Sequence, residues 1–201
     1  MIVKLFINPI NYTLETLYKK DENEYLIGVD KGAYYALKKG LDLDLVLGDF
    51  DSTSEAEYAY IKKQAKQMKH FQERKDETDA YLAIKEALLL NPKEIIVYGG
   101  IGERLDHTYA NILLLLQGDI TFITDKQKMY ILSPGSYKIN NDYQAISFFA
   151  LETTTKLTLK DFSYELTNHT LHVNDPLCIS NKGSGTVSFK SGLLLVIQTS
   201  D

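Results

Sequence analysis

Apolar residues fall into two textures along the chain. Up to Asp125, short apolar runs at Ile2–Ile7, Tyr25–Val29, Leu45–Leu47, Ile95–Val97 and Ile120–Ile123 alternate with longer segments of helical period. A short unbroken apolar run reads as a buried strand, and apolar positions recurring every three to four residues read as an amphipathic helix. Between Thr78 and Leu90, the positions Leu82, Ile84, Ala87, Leu88 and Leu89 predict one apolar helix face. Tyr34–Lys39 and Ile112–Leu116 predict two further helical segments. Strands alternating with helices imply βαβ units and a mainly parallel sheet.

After Asp125 the helical period stops. Strand-length runs follow at Tyr130–Leu132, Ala145–Leu151, Lys156–Leu159, Thr170–Val173, Leu177–Ser180, Thr186–Phe189 and Leu193–Gln198. Between them lie Pro134-Gly135, Asn140-Asn141-Asp142, Asn174-Asp175-Pro176 and Lys182-Gly183-Ser184-Gly185, all of them turn chemistry. Many short strands with this spacing predict a β-sandwich or jelly-roll. The fold class expected is therefore α/β: a mainly parallel domain over residues 1–125, then an all-β domain over residues 126–201. A β-domain of about 75 residues sits at the lower edge of what one core stabilises. Its apolar surface is expected to be covered by the first domain, a second subunit, or both.

Composition narrows the class. The chain is 44% hydrophobic and 24% charged, near the globular average, which excludes a disordered or fibrous protein. It carries 22 basic and 27 acidic residues, a net charge of -5 that argues against nucleic-acid binding through general phosphate attraction. The imbalance is local: residues 1–125 hold 15 basic and 21 acidic residues, residues 126–201 seven and six. Cys178 is the only cysteine, so no disulfide forms within the chain, and a four-ligand zinc site does not fit one Cys and four scattered His. No run approaches the roughly eighteen apolar residues of a membrane span, and Met1–Asn8 lacks a signal-peptide core. The expectation is a cytoplasmic protein with no membrane partner.

Four segments carry candidate chemistry. In Leu45-Val46-Leu47-Gly48-Asp49-Phe50-Asp51-Ser52 an apolar strand runs into two carboxylates. If the strand continued, Asp49 and Asp51 would point to one side. Adjacent carboxylates raise each other's pKa, a cost that a hard cation such as Mg²⁺ relieves. Ligands also bind beyond the carboxyl ends of parallel strands, which favours this reading over a solvated turn. Lys75-Asp76-Glu77-Thr78-Asp79 precedes a predicted helix, so Asp76 or Thr78 also reads as an N-cap and Asp79 as a first-turn acid. In Ile95–His107 a buried strand enters the turn Gly99-Gly100-Ile101-Gly102-Glu103-Arg104-Leu105-Asp106-His107, where glycines admit close approach of backbone N–H groups to phosphate. Leu105 breaks a dinucleotide fingerprint, and no Gly-Lys-Ser/Thr marks a P-loop. Arg104 supplies a cation able to grip phosphate in two places. Asp106 reads as a base, a metal ligand or an N-cap, and His107 as a supporting or capping group. Gly28-Val29-Asp30-Lys31-Gly32-Ala33 is a further strand end with an acid and a glycine.

Taken in order, these segments resemble the thiamin pyrophosphokinases, which transfer the pyrophosphoryl group of ATP to the hydroxyethyl arm of thiamin and release AMP. The likeness runs through Asp30-Lys31-Gly32, Gly48-Asp49-Phe50-Asp51-Ser52, Lys75–Asp79 and Gly99–His107, with Ala110-Asn111 behind it. It continues through Lys160-Asp161-Phe162-Ser163-Tyr164-Glu165-Leu166 and Ser180-Asn181 in the second half. It implies a nucleotide- and Mg²⁺-binding catalytic domain, a thiamin-binding β-sandwich, and a homodimer with thiamin bound between subunits. By position it implies Asp30, Asp49, Asp51 and Asp79 as ligands of Mg²⁺ around the ATP phosphates. Gly32, Lys75, Thr78, Gly100, Gly102 and Arg104 would contact ATP. Arg104 and Asp106 would act at the phosphates and the hydroxyl, and His107, Asn111, Ser180 and Asn181 would lie on the thiamin side. Asp30-Lys31-Gly32 departs from the family's Asp-Gly-Gly, Asn8-Pro9-Ile10-Asn11 replaces its glycine-rich first strand end, and Lys182-Gly183-Ser184-Gly185 offers no aromatic after Ser-Asn.

Two alternatives follow from the same residues. A haloacid-dehalogenase-like Mg²⁺-dependent phosphatase would use Asp49 as nucleophile and Asp51 as acid/base. A non-catalytic thiamin- or nucleotide-binding regulator would keep Gly100, Gly102 and Ser180 without the full acidic set.

Overall fold

The structure, a computed structural model, describes residues 1–9, 14–71, 77–102 and 104–201. It divides into two compact units, Met1–Asp125 and Lys126–Asp201. The first contains β1 (Ile2–Ile7), α1 (Leu14–Leu17), β2 (Glu24–Val29), α2 (Lys31–Lys38), β3 (Leu45–Gly48), α3 (Glu55–Gln64) and β4 (Met68–His70). It continues with α4 (Asp79–Leu89), β5 (Glu94–Gly99), α5 (Leu105–Leu114), a 3₁₀ turn at Leu115–Gln117 and β6 (Ile120–Ile123). The strands pair in the order β4-β3-β2-β1-β5-β6, every pair parallel. β1 lies between β2 and β5, with Val3, Leu5 and Phe6 fully buried. From β1 the chain builds outward on one side through β4, then returns to the other side with β5. This reversal opens a crevice above the carboxyl ends of β1 and β5, where sheets of this kind bind ligands.

One polar residue occupies the middle of the central strand. Lys4, 1% exposed, meets Glu24 at 2.7 Å and Asp21 at 2.6 Å and donates to the Lys19 carbonyl. The Tyr18 hydroxyl donates to the other oxygen of Glu24 at 2.6 Å. Burial alone would push Glu24 up, but the bonds from Lys4 and Tyr18 outweigh it and hold the carboxyl below its ordinary value.

The second unit contains β7 (Gln127–Leu132), β8 (Gly135–Ile139), β9 (Ala145–Ala150), β10 (Thr154–Lys160), β11 (Leu166–Leu171), β12 (Gly185–Phe189) and β13 (Leu194–Thr199). All its pairings are antiparallel: β7-β13-β9 in one layer and β11-β10-β12-β8 in the other. Inward residues of both layers, among them Phe148, Leu157, Val187 and Val196, form one apolar cluster. This is the sandwich that the alternating strands and turns predict.

Several elements differ from the sequence reading. The buried face of α4 is Ala80, Ala83, Ile84 and Ala87, while Leu89 is 74% exposed. Small side chains at i, i+3, i+4 and i+7 let the helix lie close, so the larger leucines fall to its flanks. Leu177–Ser180 is a loop, with Ser180 at φ 57°. Pro134-Gly135 is not simply a turn, since Gly135 opens β8. α5 begins at Leu105, seven positions before its apolar run. No helix among the described residues is long and apolar enough to cross a membrane.

Candidate active site

The strand ends of the first unit deliver the acids. β2 stops at Val29, and Asp30 follows with φ 46° as the residue before α2. β3 stops at Gly48, and Asp49 and Phe50 follow, Phe50 with φ 62°. α4 opens with Asp79, its N-cap Thr78 accepting the Tyr81 N–H through Oγ1 at 3.2 Å. Oxygen atoms of Asp30, Asp49 and Asp79 lie within 4.8 Å of one another. Three carboxylates from three separate elements thus converge, and a hard-oxygen donor set of this size fits Mg²⁺.

Backbone geometry around Asp30 fixes that convergence. Asp30 Oδ1 accepts the Phe50 N–H at 2.9 Å. A Cβ on Gly48 would sit 1.8 Å from the same oxygen, so only glycine leaves room for the carboxylate. Asp51 stands outside the three-oxygen set. The extended course needed to align it with Asp49 ends at Gly48, and Phe50 turns the chain instead. It remains next to its neighbour, its N–H donating to Asp49 Oδ1 at 3.2 Å. Desolvation first, then the charges of Asp49 and Asp79, raise the Asp51 carboxyl above its ordinary value. That repulsion is what a bound cation would relieve.

A cavity of about 490 Å³ opens beside Asp30 and Asp79. Its walls include Asn8 and Pro9 after β1, Asp30 after β2, Thr78 and Asp79 at α4, Gly100 and Gly102 after β5, and Arg104, His107 and Asn111. The cavity therefore occupies the topological switch point. Asn111 is buried and donates through Nδ2 to the Gly100 carbonyl at 2.6 Å, so it holds the glycine turn in place. Asn8 and Pro9, where the glycine-rich strand end is replaced, form part of the wall themselves. Lys31 turns away toward α3, its Nζ 3.4 Å from Glu57 Oε1. Lys75, Asp76, Glu103 and Asn11 lie outside the described residues.

Arg104 and Asp106 are paired. The guanidinium donates through Nη2 to Asp106 Oδ2 at 2.7 Å and through Nε to Oδ1 at 3.3 Å. Arg104 itself is the N-cap residue of α5, so Asp106 is not the cap. The Arg104 bond is the main reason the Asp106 carboxyl lies below its ordinary value. Both side chains are largely exposed, so a competing anion can reach the guanidinium. Gly32 is buried in the first turn of α2, where a Cβ would strike the Phe6 carbonyl.

The second unit has its own pocket, of about 320 Å³, lined in part by Tyr164, Glu165, Cys178, Ile179 and Asn181. Asn181 is 3% exposed and its amide is spent on backbone. Nδ2 donates to the Tyr164 carbonyl at 2.7 Å, and Oδ1 accepts the N–H groups of Tyr164 and Lys182. Ser180 is exposed, its N–H bound to Ser147 Oγ at 3.0 Å. The effect of the Asn181 clasp is to present the Tyr164 ring, 68% exposed, at the pocket. Tyr164 lies within the Lys160–Leu166 segment that the sequence singled out, but its contact with Asn181, 17 positions on, leaves no local pattern.

Comparison with known proteins gives a consistent result. The family profile described as thiamin pyrophosphokinase, catalytic domain, matches residues 17–131, and that described as thiamin pyrophosphokinase, vitamin B1 binding domain, matches residues 136–194. The chain is 39% identical over 192 residues to a thiamine pyrophosphokinase of Bacillus subtilis (strain 168), covering 90% of each. It superposes on a crystal structure of thiamine pyrophosphokinase from Bacillus subtilis with a TM-score of 0.88 at 34% identity, over 100% of this chain and 99% of that one. For the crystal structure of thiamin pyrophosphokinase from Geobacillus thermodenitrificans the TM-score is 0.85 at 29% identity, over 100% of this chain and 98% of that one.

Proposed function

The chain belongs to the thiamin pyrophosphokinase family, and on that premise we propose how its own residues carry out pyrophosphoryl transfer from ATP to thiamin. The observation that carries the reading is the convergence of Asp30, Asp49 and Asp79 at the switch point, beside a cavity rimmed by Arg104. Neither the phosphatase nor the regulator is favoured, since both halves of the chain match this one family.

Asp30, Asp49 and Asp79 would hold Mg²⁺, with Asp51 close enough to join through its neighbour. The ion would neutralise the charge of the ATP phosphates as the transfer proceeds. The cavity is the proposed seat of ATP, with the glycine turn bringing backbone N–H groups near the phosphates. The thiamin hydroxyl oxygen bonds to the β-phosphorus while the bond from that phosphorus to the bridging α–β oxygen breaks. AMP leaves with that oxygen, and the hydroxyl proton passes to a carboxylate. In the free protein Arg104 keeps Asp106 a weak base. A polyphosphate that draws the guanidinium away would free Asp106 to accept the proton, which ties the base to the presence of ATP. The remaining ring systems of thiamin would lie against Tyr164 at the second unit's pocket, an aromatic face for a cationic heterocycle.

We further propose that the protein is a cytoplasmic homodimer with thiamin at the subunit interface. Each unit supplies an apolar surface for such an assembly: Leu105, Tyr109 and Leu113 on one side of α5, and Val173, Leu177 and Ile179 in the second unit, all exposed. Patches of this kind mark interaction sites. Sedimentation equilibrium should give twice the 22.8 kDa chain mass; a strictly monomeric, fully active protein would contradict this part.

The direct test is product analysis with Mg-ATP and thiamin. Equal amounts of AMP and thiamin diphosphate are expected. ADP with thiamin monophosphate, or phosphate released from small esters without ATP, would overturn the reading.

A further inference from the structure

Phe50 stands between the two acids of the β3 loop in a conformation that its own chemistry does not favour. A bulky residue at φ 62° is uncommon and strained. The surrounding structure holds it there at every available group. Its N–H donates to Asp30 Oδ1 at 2.9 Å. Its carbonyl accepts the N–H of Thr53 at 3.1 Å and the Thr53 hydroxyl at 2.7 Å. Its ring, 6% exposed, is gripped by two others: Tyr58 of α3 with centroids 5.3 Å apart, and His70 at the end of β4 with centroids 5.1 Å apart. The two outer rings are joined, the Tyr58 hydroxyl lying 3.2 Å from His70 Nε2.

Aromatic residues packed on an apolar core need no functional account. That accounts for Tyr58, which packs half-buried against the core cluster containing Phe50, but not for His70, which is exposed. What they secure is one backbone conformation. If Phe50 relaxed to negative φ, its N–H would leave Asp30 and the peptide carrying Asp49 would turn. Two of the three converging carboxylates would then be displaced together.

We infer that Tyr58 and His70 are positioning residues that clamp Phe50 and so set the Asp30–Asp49 geometry for a divalent cation. The inference rests on the reading of Asp30, Asp49 and Asp79 as the cation site and assigns that site its outer support. Groups that orient metal ligands at one remove commonly change affinity by about 10–100-fold when removed.

The probe is Mn²⁺ alone, titrated into the full chain and followed by electron paramagnetic resonance, with melting temperature recorded for each variant. Tyr58→Ala should weaken Mn²⁺ binding by about 10-fold or more. It should raise the Mg²⁺ concentration for half-maximal turnover in parallel, leaving kcat at saturating Mg²⁺ within about threefold of the parent, since the clamp touches no substrate. Tyr58→Phe keeps the ring and should restore binding to within about threefold, which separates ring packing from the hydroxyl bond. His70→Ala should repeat the Tyr58→Ala result, and it serves if Tyr58→Ala does not fold. A folded Tyr58→Ala or His70→Ala variant that binds Mn²⁺ as tightly as the parent, or loses kcat with affinity unchanged, overturns the clamp. Parent protein that binds no Mn²⁺, or an Asp49→Asn variant that binds it normally, instead overturns the cation site and the clamp with it.

Discussion

Gly48 and Asp30 share a space that admits one carboxylate and no methyl group. Gly48→Ala would place a carbon 1.8 Å from Asp30 Oδ1 at a φ of 148°, so the carboxylate or the loop must move. The expected result is a loss of about 2 kcal/mol or more in denaturant unfolding, together with weaker Mn²⁺ binding. Asp49→Asn acts the other way on the apo protein. Desolvation and the Asp49 charge raise Asp51, so this crowding adds to stability only below the ordinary carboxylate value of 3.8 and is lost as pH rises through the raised one. Removing the Asp49 charge should therefore raise the apo melting temperature at neutral pH, with the gain vanishing near pH 3. An apo variant that melts lower at pH 7 would contradict repulsion within the cluster. At this scale the sequence was legible where an acid follows a strand: Asp30 and Asp49 end β2 and β3 as their runs indicate. The relation of Asp51 to Asp49 was not legible, because it depends on Phe50 leaving the extended conformation. The Asn181 clasp on the Tyr164 backbone also needed the structure, since a contact across 17 residues leaves no local pattern.

Elements with a strong apolar period were readable, and those without one were not. β1, β2, β3, β5 and β6 each contain the apolar run that predicts them. β4 is only Met68-Lys69-His70 with one half-buried residue, and α3 buries only Ile61, so neither presents a run or a face. α3 is specified instead by its start, where Ser54 and Glu57 form a reciprocal capping box. That cap holds in place the helix carrying Glu57 and Tyr58, the contacts to Lys31 and Phe50. β1 gives the sharpest energetic prediction. Lys4→Met leaves Glu24 buried beside Tyr18 without its cation, and unfolding free energy should fall by about 3 kcal/mol or more. The pH response has a definite sign. Glu24 is depressed in the folded state, so its contribution is present above its ordinary value of 4.5 and is lost as pH falls through the depressed one. Glu24→Gln should flatten that acid limb of the stability curve. An unchanged limb would show that the network does not control it.

Across the whole molecule, the change of texture at Asp125 and the division between the two units coincide. Among the acids behind the first unit's net charge of -6, Asp30, Asp49 and Asp79 converge at the crevice of the switch point, with Asp51 beside Asp49. The position of that crevice was not readable from any single motif. It follows from β1 being central and from the chain reversing direction between β4 and β5, which only the strand order reveals. The cavity, the carboxylates and Arg104 are consequences of that topology acting on residues that end strands. The site is proposed to pass an intact pyrophosphoryl group to thiamin, and ATP carrying ³²P at the β-phosphorus, incubated with Mg²⁺, thiamin and the protein, reports on that transfer. The label should appear in thiamin diphosphate with one equivalent of unlabelled AMP, and Asp49→Asn should slow its appearance by about 100-fold or more. Label remaining in ADP beside thiamin monophosphate, or transfer undiminished in Asp49→Asn, would contradict it.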